Sequence, residues 1–224
     1  MPIGTVHFSF FQVKNHPDIG DLPIAREGQR PVIYSQLSEG HRSFLDKIAK
    51  ERGYRHYKDA GKFHPSARRA LDDMIQAAKG DKITLATFAT YRPYDQQVPY
   101  FFSSNPNNHK IIGKIWRPGA ESAELKEIEQ QYLARAEIVA PPGYSKHHTG
   151  LVVDLNSDKE DYWRSPAGQK AFDWLKNNAG RFGYRLSYPG TAGSGAILER
   201  WEWQYTGCAQ NGYPQVSIKD YEIP

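Results

Sequence analysis

At 224 residues, with 39% hydrophobic and 24% charged side chains, the chain carries enough apolar surface for one sizeable core. Its formal charge of +4 and pI near 9.0 come from Lys and Arg scattered among Asp and Glu, which argues against the clustered basic face of a nucleic-acid binder. A single cysteine, Cys208, excludes an internal disulfide framework, and nowhere do about 18 apolar residues run together, as a membrane span requires.

The first stretch, MPIGTVHFSFFQV, lacks a basic region followed by a long apolar run, so a cytoplasmic location is expected, although an exported mature form would read the same. Residues 1–37 are punctuated by Pro and Gly and are expected to form an extended arm, followed by one domain over 38–224. Within SEGHRSFLDKIAKER, Phe44, Ile48 and Ala49 share a face behind Ser38, which predicts a helix over 38–52. A second helix is predicted from Ser66 to Lys79, with Ala67, Ala70, Leu71, Met74, Ile75 and Ala78 facing inward and Gly80 as its stop.

KITLATFAT, 82 to 90, alternates like a strand and feeds into YRPYDQQ. Residues 103–118 read as a loop and 121–136 as a third helix. LVVDL, 151 to 155, is a short apolar strand, and SPAGQKAFDWLKNNAG opens with a Ser165 cap and Pro166 and closes at Gly180. YRLSY and ILERWEWQY are further strand-like runs. Helices and strands without regular alternation predict an α+β fold, a small antiparallel sheet flanked by helices.

Chemistry concentrates in three stretches. In SKHHTGLVVDL, His147 on a Gly-containing turn and Asp154 on the strand could reach one divalent cation; loop histidines beside a strand-end carboxylate are the competing reading. In ERWEWQY, Glu199 and Glu202 would point to opposite faces of a continuous strand, and approach one site only where a bulge or strand end intervenes. Arg92, after the KITLATFAT strand, could present its fork to a carboxylate or a developing oxyanion, or be an ordinary ion-paired arginine.

In order and spacing, these stretches resemble the VanY-type D-alanyl-D-alanine carboxypeptidases and related dipeptidases, zinc peptidases acting on D-Ala-containing peptides. The family pattern S-x-H-x-x-G-x-A-x-D falls on Ser145, His147, Gly150, Val152 and Asp154, with Val in place of Ala. S-G-Y-R-S-x-x-x-Q corresponds to ATYRPYDQQ, retaining Tyr91 and Arg92. Y-G-F-x-x-x-Y-P and E-P-W-H-x-R-Y correspond to FGYRLSYP and ERWEWQY, so the likeness runs from about residue 64 to 207.

The resemblance implies that His147 and Asp154 bind zinc and that Glu199 is the general base acting on metal-bound water. It implies that Arg92 stabilises the polarised carbonyl, and that Ser145, Tyr91 and Trp201 hold a small peptide substrate derived from peptidoglycan. The chain departs from the pattern at the third ligand, where Glu202 replaces His; Gln204 replaces Arg and Arg200 replaces Pro. Glu202 is expected to serve as the third metal ligand in a His, Asp, Glu site that tolerates Mn or Fe better than a two-histidine site does. His148 is the second choice for that role. Conversion of another small metabolite, or a binding module without catalysis, are the readings that the exchange leaves open.

Overall fold

The computed structural model describes residues 39–102, 133–190 and 198–224. The expected arm at 1–37, the expected loop at 103–118 and residues 121–132 of the expected third helix lie outside them. The chain divides into two compact units, Met1–His56 with Tyr94–Ser145, and Tyr57–Pro93 with Lys146–Pro224. Among the described residues no helix is long and apolar enough to cross a membrane.

The first unit contains helices α1 (Glu39–Glu51) and α3 (Tyr94–Phe102). On α1, Leu45, Ile48 and Ala49 are buried at helical spacing, while the Phe44 side chain, expected on the same face, lies outside the described residues. Helix α3 is not anticipated by the sequence pattern. Its last carbonyls, of Tyr100 and Phe101, accept from the Arg135 guanidinium at 2.7 and 2.9 Å, which satisfies acceptors that a helix end leaves open. Two tyrosine hydroxyls complete the unit, Tyr54 donating to the Ala136 carbonyl and Tyr144 to Asp46, at 2.7 and 2.8 Å.

The second unit holds the main core. Strand β1 (His56–Tyr57) lies where the two units meet in sequence and is followed by α2 (Pro65–Gly80), whose Ala67, Ala70, Leu71, Met74 and Ala78 face inward as expected. Gly80 is the last helical residue and not the stop; the reversal falls on Asp81 and on Lys82 at φ 62°. Helices α4 (Glu160–Arg164), which the sequence pattern does not reveal, and α5 (Pro166–Asn178) meet at Ser165. Its hydroxyl donates to the Tyr162 carbonyl and accepts from the Gly168 amide, at 2.6 and 3.1 Å, so the expected cap is real. The helix ends at Asn178 and not at Gly180, because a 3-10 turn over Ala179–Phe182 extends it to Gly183.

A four-stranded antiparallel sheet runs in the order β2 (Thr87–Ala89), β3 (Val152–Leu155), β5 (Glu202–Tyr205), β4 (Tyr184–Leu186). The alternation of KITLATFAT predicts a longer β2. Asn156 cuts it short: its side chain accepts from the Ala86 amide at 2.7 Å and donates to the Thr84 carbonyl at 3.2 Å, replacing a strand partner. Of the expected strand ILERWEWQY, Ile197 lies outside the described residues and the described part is strand only over its last four residues; YRLSY is strand over its first three.

Val153 and Leu155 of β3, and Trp203 and Tyr205 of β5, join α2 and α5 in the core, with Leu71, Met74, Trp163 and Leu175. The period of two then forces Val152, Asp154, Glu202 and Gln204 onto the other face. All eight strand residues are buried, so that second face is also covered. A buried sheet face carrying two carboxylates is the feature the fold leaves to be explained.

Candidate metal centre

Strands β3 and β5 pair with Asp154 directly opposite Glu202. Like charges in that position repel, and burial removes the water that would screen them. His147 comes to the same place from a 3-10 turn (Lys146–Thr149) held by the Thr149 hydroxyl, which donates to the Lys146 carbonyl at 2.7 Å and accepts from the Leu151 amide at 3.2 Å. The turn leads to Gly150 at φ 63°, where a Cβ would lie 2.2 Å from the Lys62 carbonyl oxygen, so only glycine fits.

The His147 Nδ1 faces the Thr90 carbonyl, which can only accept, so Nδ1 carries a proton and donates. In the neutral ring, the Nε2 lone pair therefore points at Asp154 Oδ2, 3.2 Å away, and at Glu202 Oε2, 3.6 Å away. A lone pair against two anions needs a positive charge between or upon them. One ligand atom from each of these three residues lies within 4.8 Å of the others. Asp154 Oδ1 and Glu202 Oε1 are buried with no hydrogen-bond partner among the described residues. Imidazole nitrogen and carboxylate oxygen are donors that divalent cations take, so the residues fit such an ion.

The surroundings are equally charged. Arg92 follows a bulge in β2, where Thr87 pairs with Leu155 and Ala89 with Asp154, leaving Phe88 unpaired and about half exposed. Beyond the bulge, the Arg92 amide donates to the His147 carbonyl at 3.2 Å, and its Nη2 lies 4.0 Å from Asp154 Oδ2. Glu199 precedes β5 in a turn closed by the Glu202 amide on the Glu199 carbonyl at 3.4 Å. The strand therefore begins after Glu199, and the parity argument that set the two glutamates on opposite faces does not apply.

Electrostatics follow this crowding. Burial, helped by Glu202 and Asp154 and opposed by Lys146, pushes the Glu199 carboxyl up to about 8. Burial also raises Glu202, with Asp154 adding to the effect and His147 and Lys146 opposing it. For His147, burial disfavours the charged ring, but Asp154 and Glu202 outweigh it and hold the imidazole above the usual histidine range. Burial and the crowding of carboxylates together disfavour negative charge at Glu199 and Glu202, and the same carboxylates favour a proton on His147.

His148, the second-choice ligand, does not join the cluster. Its Nδ1 donates to the Arg92 carbonyl at 2.6 Å, and burial lowers the ring to about 4, so it is a neutral latch on the Arg92 segment. The Tyr91 hydroxyl donates to Asp59, and the rings of Tyr91 and Trp201 pack against the core. Ser145 is buried at the last position of the first unit, two residues before His147. Sequence reasoning missed Lys146. Its ammonium donates to the Ser187 carbonyl at 3.2 Å and lies 3.6 Å from the Tyr188 ring centroid.

One imidazole, two buried carboxylates, an arginine and a further desolvated carboxylate thus share one place, and the first three offer donor atoms of the kinds that divalent cations take. Residues 60–208, more than half of the chain, match the family model VanY, D-alanyl-D-alanine carboxypeptidase, and the chain belongs to that family, as its four motifs led us to expect. A D-alanyl-D-alanine carboxypeptidase of Enterococcus faecalis is 30% identical over 139 residues, covering 61% of this chain and 46% of the relative. One of Enterococcus faecium is 36% identical over 102 residues, covering 45% of this chain and 31% of the relative. The matches span less than half the length of these relatives. Among solved structures, a mutant of the vancomycin-resistance D,D-pentapeptidase VanY in complex with Zn(II) is 26% identical, with 75% of this chain and 88% of that chain covered and a TM-score of 0.47.

Proposed function

We propose that the chain is a divalent-metal-dependent peptidase that hydrolyses short peptides ending in D-alanine, as a carboxypeptidase or dipeptidase of the D-Ala-D-Ala kind. The observation that carries this reading is His147 Nε2 aimed at two opposed, buried carboxylates, Asp154 and Glu202. His147, Asp154 and Glu202 would hold the ion. Zinc suits them, and the two carboxylates also make the set acceptable to Mn or Fe. When bound, the metal would supply Lewis-acid chemistry, polarising the scissile carbonyl and acidifying water.

The chain's own groups supply the rest. Arg92, oriented by its backbone bond to His147 and by Asp154, offers N–H donors to the carbonyl oxygen as negative charge develops there. Glu199, a desolvated carboxyl beside Glu202 and Asp154, would as a carboxylate take the proton of the attacking water and return it to the leaving amine. His148 fixes the segment that carries Arg92. Ser145, Tyr91 and Trp201 contribute to holding the substrate; the rings of Tyr91 and Trp201 pack against the core.

The test is release of free D-alanine from D-Ala-D-Ala and from a pentapeptide ending in it, by protein purified without chelators, stripped, and reloaded with Zn(II) or Mn(II). Turnover that vanishes on stripping and returns on reloading supports the proposal. Absence of stoichiometric metal at neutral pH would refute it. Glu202 itself favours a second reading, a different small-metabolite reaction or binding without catalysis, because a second carboxylate among the ligands weakens Lewis acidity. Turnover of cell-wall dipeptides only after Glu202→His would favour that reading.

A further inference from the structure

Resting on the metal-dependent reading, we propose that Lys146 is a positioning residue that balances the charge of Glu202. Exchanging an imidazole for Glu202 adds one negative charge to a site that already contains Asp154 and Glu199. Lys146 contributes one positive charge from the turn that carries His147. Its head is anchored by the Ser187 carbonyl and the Tyr188 ring. That short segment is tied by backbone to both glutamates: the Ser187 amide donates to the Glu202 carbonyl at 3.0 Å, and the Glu199 amide donates to the Tyr188 carbonyl at 3.2 Å.

Both carboxylates interact electrostatically with an ammonium anchored on a segment that is bonded to their own backbone. Among the described residues Lys146 makes no direct ion pair with either, so it acts through space and leaves their oxygens available for the metal and for proton transfer. In a desolvated site such a charge acts at longer range than on the surface. A mostly buried lysine held against an aromatic face loses solvation, which the two glutamates offset only in part, so burial still holds its ammonium below the usual lysine range. This arrangement has a consequence that a purely structural lysine would not share. Lys146 repels the metal ion while stabilising the anions around it, so removing its charge tightens metal binding even as it disturbs catalysis.

The experiment measures Zn(II) affinity by competition with a chromophoric chelator, and the melting temperature of chelator-stripped protein. It uses wild type, Lys146→Met, Lys146→Arg, Glu202→Gln and Lys146→Met/Glu202→Gln. Lys146→Met is expected to bind Zn(II) about tenfold more tightly, the size of one charge acting on a divalent ion through partly screened protein. Lys146→Arg stays within about threefold of wild type, since it keeps the charge. In stripped protein Lys146→Met lowers the melting temperature, and much of that loss disappears when Glu202 is already Gln, because the two positions are coupled. Weaker Zn(II) binding by Lys146→Met, or stability losses that simply add, would overturn the proposal. If wild type binds no metal, the peptidase reading fails by itself, and the coupling in stripped protein still decides the role of Lys146.

Discussion

Asp154 and Glu202 face each other across the β3–β5 ladder, on the side of the sheet opposite the hydrophobic core. The pairing would be destabilising by itself. It becomes intelligible through His147, whose Nδ1 is committed to the Thr90 carbonyl and whose Nε2 is thereby presented to both carboxylates. The strand register, the tight turn before Gly150 and one backbone carbonyl together bring these three groups to one place.

Stability of the metal-free protein should depend on pH with a sign set by these groups. Glu199 rises from 4.5 to about 8 on folding, so its contribution is complete below 4.5 and is lost as pH climbs through about 8. The raised His147 acts in the same direction. His148 falls from 6.5 to about 4, so its contribution is present above 6.5 and is lost on acidification. The two trends oppose each other below 6.5; above it Glu199 and His147 set the decline, opposed by Lys146, which burial lowers from 10.5. The melting temperature of stripped protein is expected to fall between pH 6.5 and 8, and added Zn(II) to raise it most at pH 8. A flat profile in that interval would contradict the assignment.

Glu199→Gln keeps the shape of the side chain and removes its capacity to accept a proton. Turnover is expected to fall by about 10²- to 10⁴-fold, the usual contribution of a general base, with bound metal unchanged. Elemental analysis beside steady-state kinetics checks both halves. Loss of metal in this variant would make Glu199 a ligand instead.

Gly150→Ala tests the turn. The new methyl would meet the Lys62 carbonyl oxygen at 2.2 Å from a backbone at φ 63°. The strain and displacement together should cost at least about 2 kcal/mol, seen as a shifted denaturation midpoint. Because the Gly150 carbonyl also accepts from the His64 amide at 2.9 Å, next to the start of α2, metal affinity should fall with stability.

Helix α5, the inward face of α2 and strand β3 were legible because cap, periodicity and apolar content agreed in each. Strand β2 was overestimated: its alternation continues through residues whose partners are taken by the side chain of Asn156, a residue 70 positions from Ala86. Helices α3 and α4 were missed; α4 is one short turn with little periodic signal. His147, Asp154 and Glu202 do lie together in space, but only the four ordered motifs suggested that they would, since no local pattern brings β5 beside β3. Lys146 passed unnoticed because one lysine among polar residues reads as solvated. Its anchoring on Ser187 and Tyr188 depends on a long-range contact.

The central claim, that Glu202 completes a metal site with His147 and Asp154, is tested most directly by metal stoichiometry and Zn(II) affinity in wild type, Glu202→Ala and Glu202→His. Wild type should hold a stoichiometric divalent ion, Glu202→Ala should lose affinity by about 10²-fold or more with the loss of a ligand, and Glu202→His should keep it. Wild-type affinity in Glu202→Ala, or no bound metal in the wild-type protein, would contradict the claim.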